Sequence, residues 1–308
     1  MSRLTRALLV IQPLVVVVGF VVVGLLLRRE WGSLASYRWN LDPSWLAASA
    51  ALMAAGWLIE LRLWQRIIAI FGGSLEYWAA ARIWFISAIA RYVPGNVWQP
   101  LSLTVLCRKR GVRPEAAFAG LSLFQAMHLL AISSLTVCYL AVWGASSEWL
   151  RSVSDWRAAI VAIPVICFVV RPSWMLRIIN RALVQLGREA LPVRLSTGLL
   201  VRFLLIAMAA WACLSCGFVA LAKAITPAVS RGAVPHFAAA YLIAYAIGFL
   251  SVLTPGGLIV REGVLYVLIS PFVGPQSAIV ISIAMRTWEI VLEMTAAASA
   301  LAFGWFRR

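Results

Sequence analysis

Acidic side chains are scarce in this sequence. Of its 308 residues only 11 are aspartate or glutamate, and all charged residues together make up 12% of the chain. Soluble domains are about a quarter charged, so the composition excludes an ordinary water-soluble fold. The only aspartates are Asp42 and Asp155. The chain therefore lacks the paired acidic residues with which membrane-bound glycosyl- and phosphotransferases often hold a metal ion.

Metal-binding and redox-active side chains are also few. His128 and His236 are too few and too far apart in the sequence to predict a zinc site. Cys213 and Cys216 form a C-x-x-C within an apolar run, and no other ligand cluster accompanies them. We interpret them as small buried side chains. The sequence predicts neither a metal ion nor another cofactor.

Hydrophobic residues, in contrast, make up 63% of the chain, and the mean hydropathy is +0.92. A membrane-spanning helix needs roughly 20 apolar residues. Arg3 and Arg6 precede the first long run, which we interpret as an uncleaved span. The apolar runs that predict spans are 7–27, 43–61, 116–144, 158–171 (short), 199–224 and 277–305.

Two further apolar stretches, 79–107 and 236–270, are interrupted by Pro94-Gly95 and by Pro255-Gly256. Proline lacks an amide donor and glycine is conformationally permissive, so neither stretch can form one straight helix. Broken backbone at membrane depth is stable only where protein buries it or where it lines a wet cavity. The sequence predicts an all-α polytopic membrane protein with about six full spans and two re-entrant hairpins.

The 27 basic residues give a net charge of +16 and cluster between the apolar runs. This is the positive-inside pattern, which predicts contact with anionic lipid rather than with nucleic acid. Both flanks of the first hairpin are basic, whereas those of the second are sparse, so the hairpins are expected to enter from opposite sides. We predict a multi-pass protein of the plasma (inner) membrane with both termini cytoplasmic, and a cytoplasmic amphipathic linker over 171–198.

An internal repeat is visible when the sequence is aligned with itself at an offset of 161 residues. The matched pairs are Pro94-Gly95 with Pro255-Gly256, Gly56 with Gly217, Pro114 with Pro275, Gln125 with Arg286, and His128 with Glu289. A span, a hairpin and a span, repeated with inverted topology, are typical of transporters. We predict one transmembrane domain, 1–308, with repeats over 43–144 and 199–305.

Two segments resemble one known family. The run from Ala90 to Gln99, around Pro94-Gly95-Asn96, and the run from Pro255 to Gly263 are similar to the lysylphosphatidylglycerol synthase transmembrane family, also called the flippase-like domain family. The resemblance covers most of the chain and implies a polytopic lipid translocase. Some relatives carry a fused soluble aminoacyl transferase. Since this chain ends at Arg308, soon after its last span, we expect a stand-alone member that is not an enzyme.

The sequence departs from the family pattern at two positions. Asn96 stands where the family often has Lys or Arg after Pro-Gly, and Ile259 stands where a glycine usually follows Pro-Gly-Gly-Leu. The first change removes a cation that would favour phosphate. The second places a β-branched side chain where the backbone would otherwise approach a neighbour closely.

Ionisable residues near the breaks predict the binding site. Helix N-termini favour anions. Intramembrane charges are costly, and pairing with an opposite charge reduces that cost, so ionisable residues at membrane depth indicate function by default. In one interpretation, Arg91, Arg261 and Arg286 hold a lipid phosphate, while Glu262 and Glu289 position them or exchange a proton. In the other, Arg261–Glu289 or Arg286–Glu262 are structural ion pairs that fix the second hairpin to the last span.

The predicted binding residues are Arg91, Pro94, Gly95, Asn96, Gln99, Pro255, Gly256, Gly257, Arg261, Glu262, Arg286 and Glu289. Asn96 and Gln99 either bind a head group or cap the broken helix. Gln125 and His128 are secondary candidates, and we favour interhelical hydrogen bonding for them. Glu293, deep in the last span, is a further candidate for proton coupling.

Several residues near span ends are expected to have no role in binding. Glu60 and Arg62 should extend toward the aqueous interface. The tryptophans near predicted span ends should anchor the helices at that interface; they are Trp64, Trp78, Trp84, Trp149 and Trp156.

The leading functional hypothesis is a translocase for a phospholipid or a polyprenyl-phosphate-linked glycolipid. One alternative is a membrane-embedded lipid glycosyl- or phosphotransferase, against which the scarcity of acidic residues argues. The other is a non-transporting accessory subunit of a lipid-modifying enzyme. In each case the expected partner is a membrane lipid or lipid-linked sugar.

Overall fold

The structure is a computed structural model that describes residues 41–90, 98–143, 177–178, 180–181, 184–185, 195–251, 257 and 259–305. All regular secondary structure in this part of the chain is helical. A short 3-10 helix, Arg231–Ala233, leads into the sixth α-helix. The α-helices are α1 (Pro43–Ile70), α2 (Tyr77–Ile89), α3 (Trp98–Arg108), α4 (Pro114–Trp143), α5 (Thr197–Ile225), α6 (Val234–Leu250) and α7 (Val260–Trp305).

Five helical segments in the described residues are long and apolar enough to cross a membrane. They are Pro43–Ile70, Pro114–Trp143, Thr197–Ile225, Arg231–Leu250 and Val260–Ala300. The prediction of an all-α polytopic membrane protein is therefore confirmed. The predicted spans 7–27 and 158–171 lie outside the described residues, as does the larger part of the predicted linker 171–198.

Helix α1 begins at a side-chain cap and runs beyond its predicted end. Asp42 Oδ1 accepts hydrogen bonds from the backbone N–H of Ser44 at 2.8 Å and from its hydroxyl at 2.6 Å, and Pro43 occupies the first helical position. These bonds, the hydroxyl first, hold the pKa of Asp42 below its ordinary value. The helix continues past 61 because buried apolar residues, among them Trp64 and Ile68, recur on one face.

Both Pro-Gly stretches contain two helices rather than one. Helix α2 ends at Ile89 and α3 begins at Trp98, while α6 ends at Leu250 and α7 begins at Val260. The motifs Pro94-Gly95 and Pro255-Gly256 themselves lie outside the described residues. The interruption of each stretch is thus observed, and its re-entrant course stays a prediction.

The order of elements repeats along the chain. A long helix, two shorter helical segments around a break, and a second long helix occur in α1–α4 and again from α5 onward. Helix α7 is interrupted at Gly274, whose φ is 79°. Pro114 begins α4, and its match Pro275 follows this interruption directly. The 161-residue repeat with inverted topology stays a prediction.

The described chain forms two compact units. The described residues of 41–53, 88–99 and 215–299 form the first unit, and those of 54–87, 100–214 and 300–305 form the second. Each unit takes segments from both predicted repeats. The two compact units therefore do not coincide with the two predicted repeats. The boundaries of the repeats stay a prediction.

The matched glycines are contact points between helices α1 and α5, one in each unit. A Cβ at Gly217 would lie 2.7 Å from Met53 Cγ in the first unit, and a Cβ at Gly56 would lie 2.8 Å from Leu214 Cγ in the second. Small residues allow helices to approach closely in membranes. The sequence match of these glycines therefore corresponds to equivalent packing roles.

Aromatic side chains form much of the core of the second unit. The rings of Trp64 and Trp84 are 5.4 Å apart, and Trp84 meets Phe124 edge to face at 5.0 Å. Both tryptophans are buried, so the prediction that they anchor the helices at the membrane interface is wrong. Trp78, in contrast, is exposed as that prediction requires. Trp149 and Trp156 lie outside the described residues.

Candidate functional site

The first unit contains a closed ion pair beside the second break. Arg261 Nη1 donates to Glu289 Oε2 at 2.8 Å, and Nη2 donates to Glu289 Oε1 at 2.6 Å. The residues are only 6% and 8% exposed. This is the bidentate geometry that makes arginine–carboxylate pairs strong. It joins the first turn of α7 to a position 28 residues later in the same interrupted helix.

Two tyrosines of α6 complete the surroundings of Arg261. The Tyr241 hydroxyl donates to Glu289 Oε1 at 2.8 Å. The guanidinium carbon of Arg261 lies 4.9 Å from the Tyr241 ring centroid and 5.2 Å from that of Tyr245, within reach of a cation–π interaction. Neither tyrosine was predicted from the sequence. Their spacing of four residues within an apolar helix was the available signal.

Gly248, one turn beyond Tyr245, lets the chain after the break lie against α6. A Cβ at Gly248 would stand 3.2 Å from Arg261 Cβ. A Cβ at Gly257, whose φ is +70°, would stand 2.8 Å from the Gly248 carbonyl oxygen. Gly257 therefore requires glycine for both space and conformation, whereas a side chain at Gly248 would require Arg261 to shift by a few tenths of an ångström.

Glu262 supports the start of α7 and faces a second arginine. Its Oε2 accepts a hydrogen bond from the backbone N–H of Ile259 at 2.6 Å, as the acidic residue of a capping box does. Its Oε1 lies 3.8 Å from Arg286 Nε. Both ion pairs named by the structural interpretation are therefore present, but only Arg261–Glu289 is hydrogen-bonded.

The second unit contains a buried acid–base pair that joins α1 to α4. Glu60 Oε1 lies 2.7 Å from His128 Nε2, and both residues are buried. His128 Nδ1 lies 2.9 Å from the carbonyl oxygen of Phe124. Since a carbonyl only accepts, Nδ1 carries a proton, and one further proton lies between Nε2 and Glu60.

This contact corrects one prediction and agrees with another. Glu60 does not extend toward an aqueous interface, because its carboxylate is buried against His128. His128 makes an interhelical hydrogen bond, which is the role favoured for it from the sequence. The ring of Trp211 from α5 meets the His128 ring edge to face at 5.7 Å.

The remaining predicted residues are distributed between the two units. Gln99 is half-buried in the first turn of α3, and Gln125 is half-buried on α4. Glu293 is buried on α7. No group of three His, Cys, Asp or Glu suited to a metal occurs among the described residues. The predicted residues that lie outside the described part are Arg91, Pro94, Gly95, Asn96, Pro255 and Gly256.

The comparison with known families decides the identity of the chain. The family model for the lysylphosphatidylglycerol synthase transmembrane region matches residues 9–296. The chain belongs to this family. No curated protein matches the chain.

Membership has coarse consequences for function. The match to this transmembrane region, together with the five apolar helices, makes the chain a multi-pass membrane protein of a lipid-related family. The paired charges beside the second break lie within the matched residues. A function in lipid modification or lipid translocation follows from the family.

Proposed function

We propose that the protein translocates a phosphate-bearing lipid, either a phospholipid or a polyprenyl-phosphate-linked glycolipid, between the leaflets of the plasma membrane. In this proposal the head group binds at Arg286, beside the second break. The observation that carries it is the contrast between the closed Arg261–Glu289 pair and the 3.8 Å Arg286–Glu262 pair. The protein would act as a carrier rather than as an enzyme.

Arg261 is the positioning residue in this proposal. Both of its terminal nitrogens already donate to Glu289, and two tyrosine rings lie within cation–π distance. A phosphate bound there would have to displace Glu289 and leave a buried carboxylate without its partner, which costs several kcal/mol. Arg261 therefore joins the first turn of α7 to Glu289 and packs against α6, and the head group binds elsewhere.

Arg286 suits the binding role because its contact with Glu262 is adjustable. The 3.8 Å separation exceeds the usual N–H···O distance of about 2.7–3.2 Å, so the attraction is mainly Coulombic. A guanidinium fork can turn toward a phosphate and donate two parallel hydrogen bonds. The predicted ligands of the first break, Arg91, Asn96 and Gln99, would contribute from the other hairpin.

Glu262 gives the site a way to release its cargo. Two arginines and two glutamates make up this cluster, so its net charge is zero. An incoming phosphate therefore finds no excess positive charge and has to compete with Glu262 for Arg286. A carrier needs binding that is favourable enough to load and weak enough to unload. Because the phosphate replaces Glu262 as the anionic partner of Arg286, the free-energy cost of loading and of unloading the lipid stays small.

A leaflet-exchange assay in liposomes tests this proposal. The purified protein is reconstituted with fluorescent phospholipid or polyprenyl-phosphate sugar, beside Arg286→Gln, Glu262→Gln and, as a matched control, Arg202→Gln on the exposed face of α5. Loss of charge-assisted hydrogen bonds worth about 1.5–3 kcal/mol should lower lipid binding and exchange at least about tenfold in Arg286→Gln. Glu262→Gln keeps an oxygen for the helix cap, so lipid binding should rise.

The two variants separate binding from a structural role. If Arg286→Gln and Glu262→Gln lower exchange equally and Arg202→Gln does not, the pair is structural and the binding assignment is wrong. Failure of the wild-type protein to move any of these lipids would favour the accessory subunit. A change in the mass of the lipid would favour the transferase.

A further inference from the structure

A groove in the second unit carries two arginines beside an apolar wall. It has a volume of about 470 Å³ and lies between α1, the start of α2, and α5. Arg62, Arg66 and Tyr77 line its polar side, and Leu58 and Ile206 lie on its apolar side. Arg62 and Arg66 are four residues apart and so share one face of α1. The volume is within the range of small-ligand sites.

Arg62 is held in position by neutral partners. Its Nη1 donates to Gln65 Oε1 at 2.8 Å, and its guanidinium carbon lies 4.5 Å from the centroid of the Tyr77 ring. Gln65 is itself fixed, because its Nε2 donates to the carbonyl oxygen of Leu75 at 2.7 Å. An arginine side chain loses considerable rotamer entropy when it is ordered. This arrangement therefore presents an ordered cation to the groove.

Neither arginine has a carboxylate partner among the described residues. The hydrogen-bond and cation–π partners of Arg62 are both uncharged, and Arg66 is exposed. The carboxylate of Glu60, two residues before Arg62, is directed at His128 instead. The groove therefore carries positive charge that no described protein group neutralises, and it is complementary to an anion.

The apolar side of the groove identifies the kind of anion. Leu58 is 49% exposed on a helix of membrane-spanning length, where lipid can cover it, and Ile206 comes from a second such helix. A small inorganic phosphate would leave this apolar surface without a partner. A lipid would cover it with the first carbons of its chains while its phosphate meets the arginines.

We propose that this groove binds one anionic glycerophospholipid, with its phosphate held by Arg62 and Arg66 and its acyl chains against Leu58 and Ile206. The site is independent of the head-group site proposed at Arg286. Zwitterionic lipids bind more weakly, because a choline group adds a positive charge next to the two arginines.

Native mass spectrometry of the full chain tests the proposal. Delipidated protein in detergent is titrated with phosphatidylglycerol, with phosphatidylcholine and with glycerol 3-phosphate. We expect one retained equivalent of phosphatidylglycerol and at least about tenfold weaker binding of the other two. Arg62→Ala/Arg66→Ala should weaken phosphatidylglycerol binding at least about tenfold, since each arginine loses a charge-assisted contact.

A matched control distinguishes specific lipid binding in the groove from nonspecific attraction to basic residues elsewhere on the protein. Arg108→Ala/Arg110→Ala removes the same charge from exposed positions of the second unit that do not line the groove. This control variant should still retain one equivalent of phosphatidylglycerol. Arg66→Ala alone, at an exposed residue, tests the site without disturbing the Gln65 and Tyr77 contacts of Arg62 and should weaken binding about tenfold.

Three results would overturn the proposal. Equal loss in both double variants would mean diffuse attraction to a basic surface. Equal retention of phosphatidylcholine would mean that the apolar wall alone binds lipid. Binding of glycerol 3-phosphate as tight as that of phosphatidylglycerol would mean a site for a free phosphate ester.

Discussion

At the scale of single residues, Ile259 holds an unfavourable backbone conformation directly before α7. Its φ is 75°, in the left-handed region that costs a β-branched residue about 1–2 kcal/mol. The backbone N–H of Ile259 is held by Glu262, which in turn faces Arg286. The resemblance flagged this position as one where the family usually has glycine, and the backbone geometry explains why glycine suits it.

The Glu60–His128 pair yields a prediction at the same scale. Replacing His128 with leucine leaves the buried Glu60 carboxylate without its partner, which should cost about 3–5 kcal/mol. The double variant Glu60→Leu/His128→Leu should recover most of the loss, because an apolar pair of similar volume needs no partner. Thermal unfolding in detergent micelles measures both.

The control for this double-mutant cycle is Glu60→Leu alone, which leaves His128 with its Phe124 contact. The expected order of unfolding temperature is wild type, double variant, and then the single variants. Additive losses in the double variant would show that the two side chains contribute independently.

At the scale of elements, the break between α6 and α7 depends on close backbone contact. Gly257 lies against the Gly248 carbonyl, and Arg261 lies beside the same glycine before it reaches Glu289. Displacing this segment would therefore move the Arg261 side chain. We therefore expect the geometry of the ion pair to depend on the glycine contact at the end of α6.

Substitution of Gly257 tests this dependence. Gly257→Ala places a Cβ at 2.8 Å from the Gly248 oxygen on a backbone with φ +70°, and should destabilise the protein by about 2 kcal/mol or more. Gly263→Ala is the matched control, because nothing lies within 4 Å of a Cβ there. It should stabilise α7 by up to about 1 kcal/mol.

Thermal unfolding in detergent, together with the exchange assay, distinguishes these outcomes. Gly257→Ala should lower both the unfolding temperature and lipid exchange, whereas Gly263→Ala should lower neither. Equal behaviour of the two variants would mean that the contact between Gly248 and Gly257 does not fix the site.

At the scale of the whole molecule, the distribution of basic residues predicts the topology. Arg108, Lys109, Arg110 and Arg113 surround the turn between α3 and α4, while only Lys223 and Arg231 flank the turn between α5 and α6. The positive-inside rule predicts that the first turn is cytoplasmic and that the second is extracytoplasmic. This assignment is the basis of the predicted inverted repeat.

Reporter fusions test the topology directly. Green fluorescent protein joined after Gly111 should fluoresce, and alkaline phosphatase joined after Ser230 should be active, because each reporter functions on only one side of the membrane. The reciprocal fusions serve as controls and should be inactive. Cytoplasmic signals from both turns would contradict the inverted arrangement.

The sequence by itself determined the class of the protein and the position of its interruptions. Apolar runs longer than a soluble helix can bury, together with scarce acidic charge, required a membrane. Proline and glycine act on the local backbone, so the breaks near 94 and 255 and the matched glycines at 56 and 217 were readable without coordinates. The charged residues of α7 were recognisable as a cluster because ionisable residues are rare within apolar runs.

Only the tertiary structure decided that Glu60 pairs with His128 and which side chains surround the charged pairs of α7. Glu60 and His128 are 68 residues apart, and Tyr241 and Glu289 are 48 apart. Such contacts depend on how helices pack, and helical periodicity specifies a face but not the neighbour that covers it. For the same reason Trp64 and Trp84 were predicted at the membrane interface from the sequence, although helix packing buries both. The contact between Arg62 and Gln65 likewise became visible only in the structure.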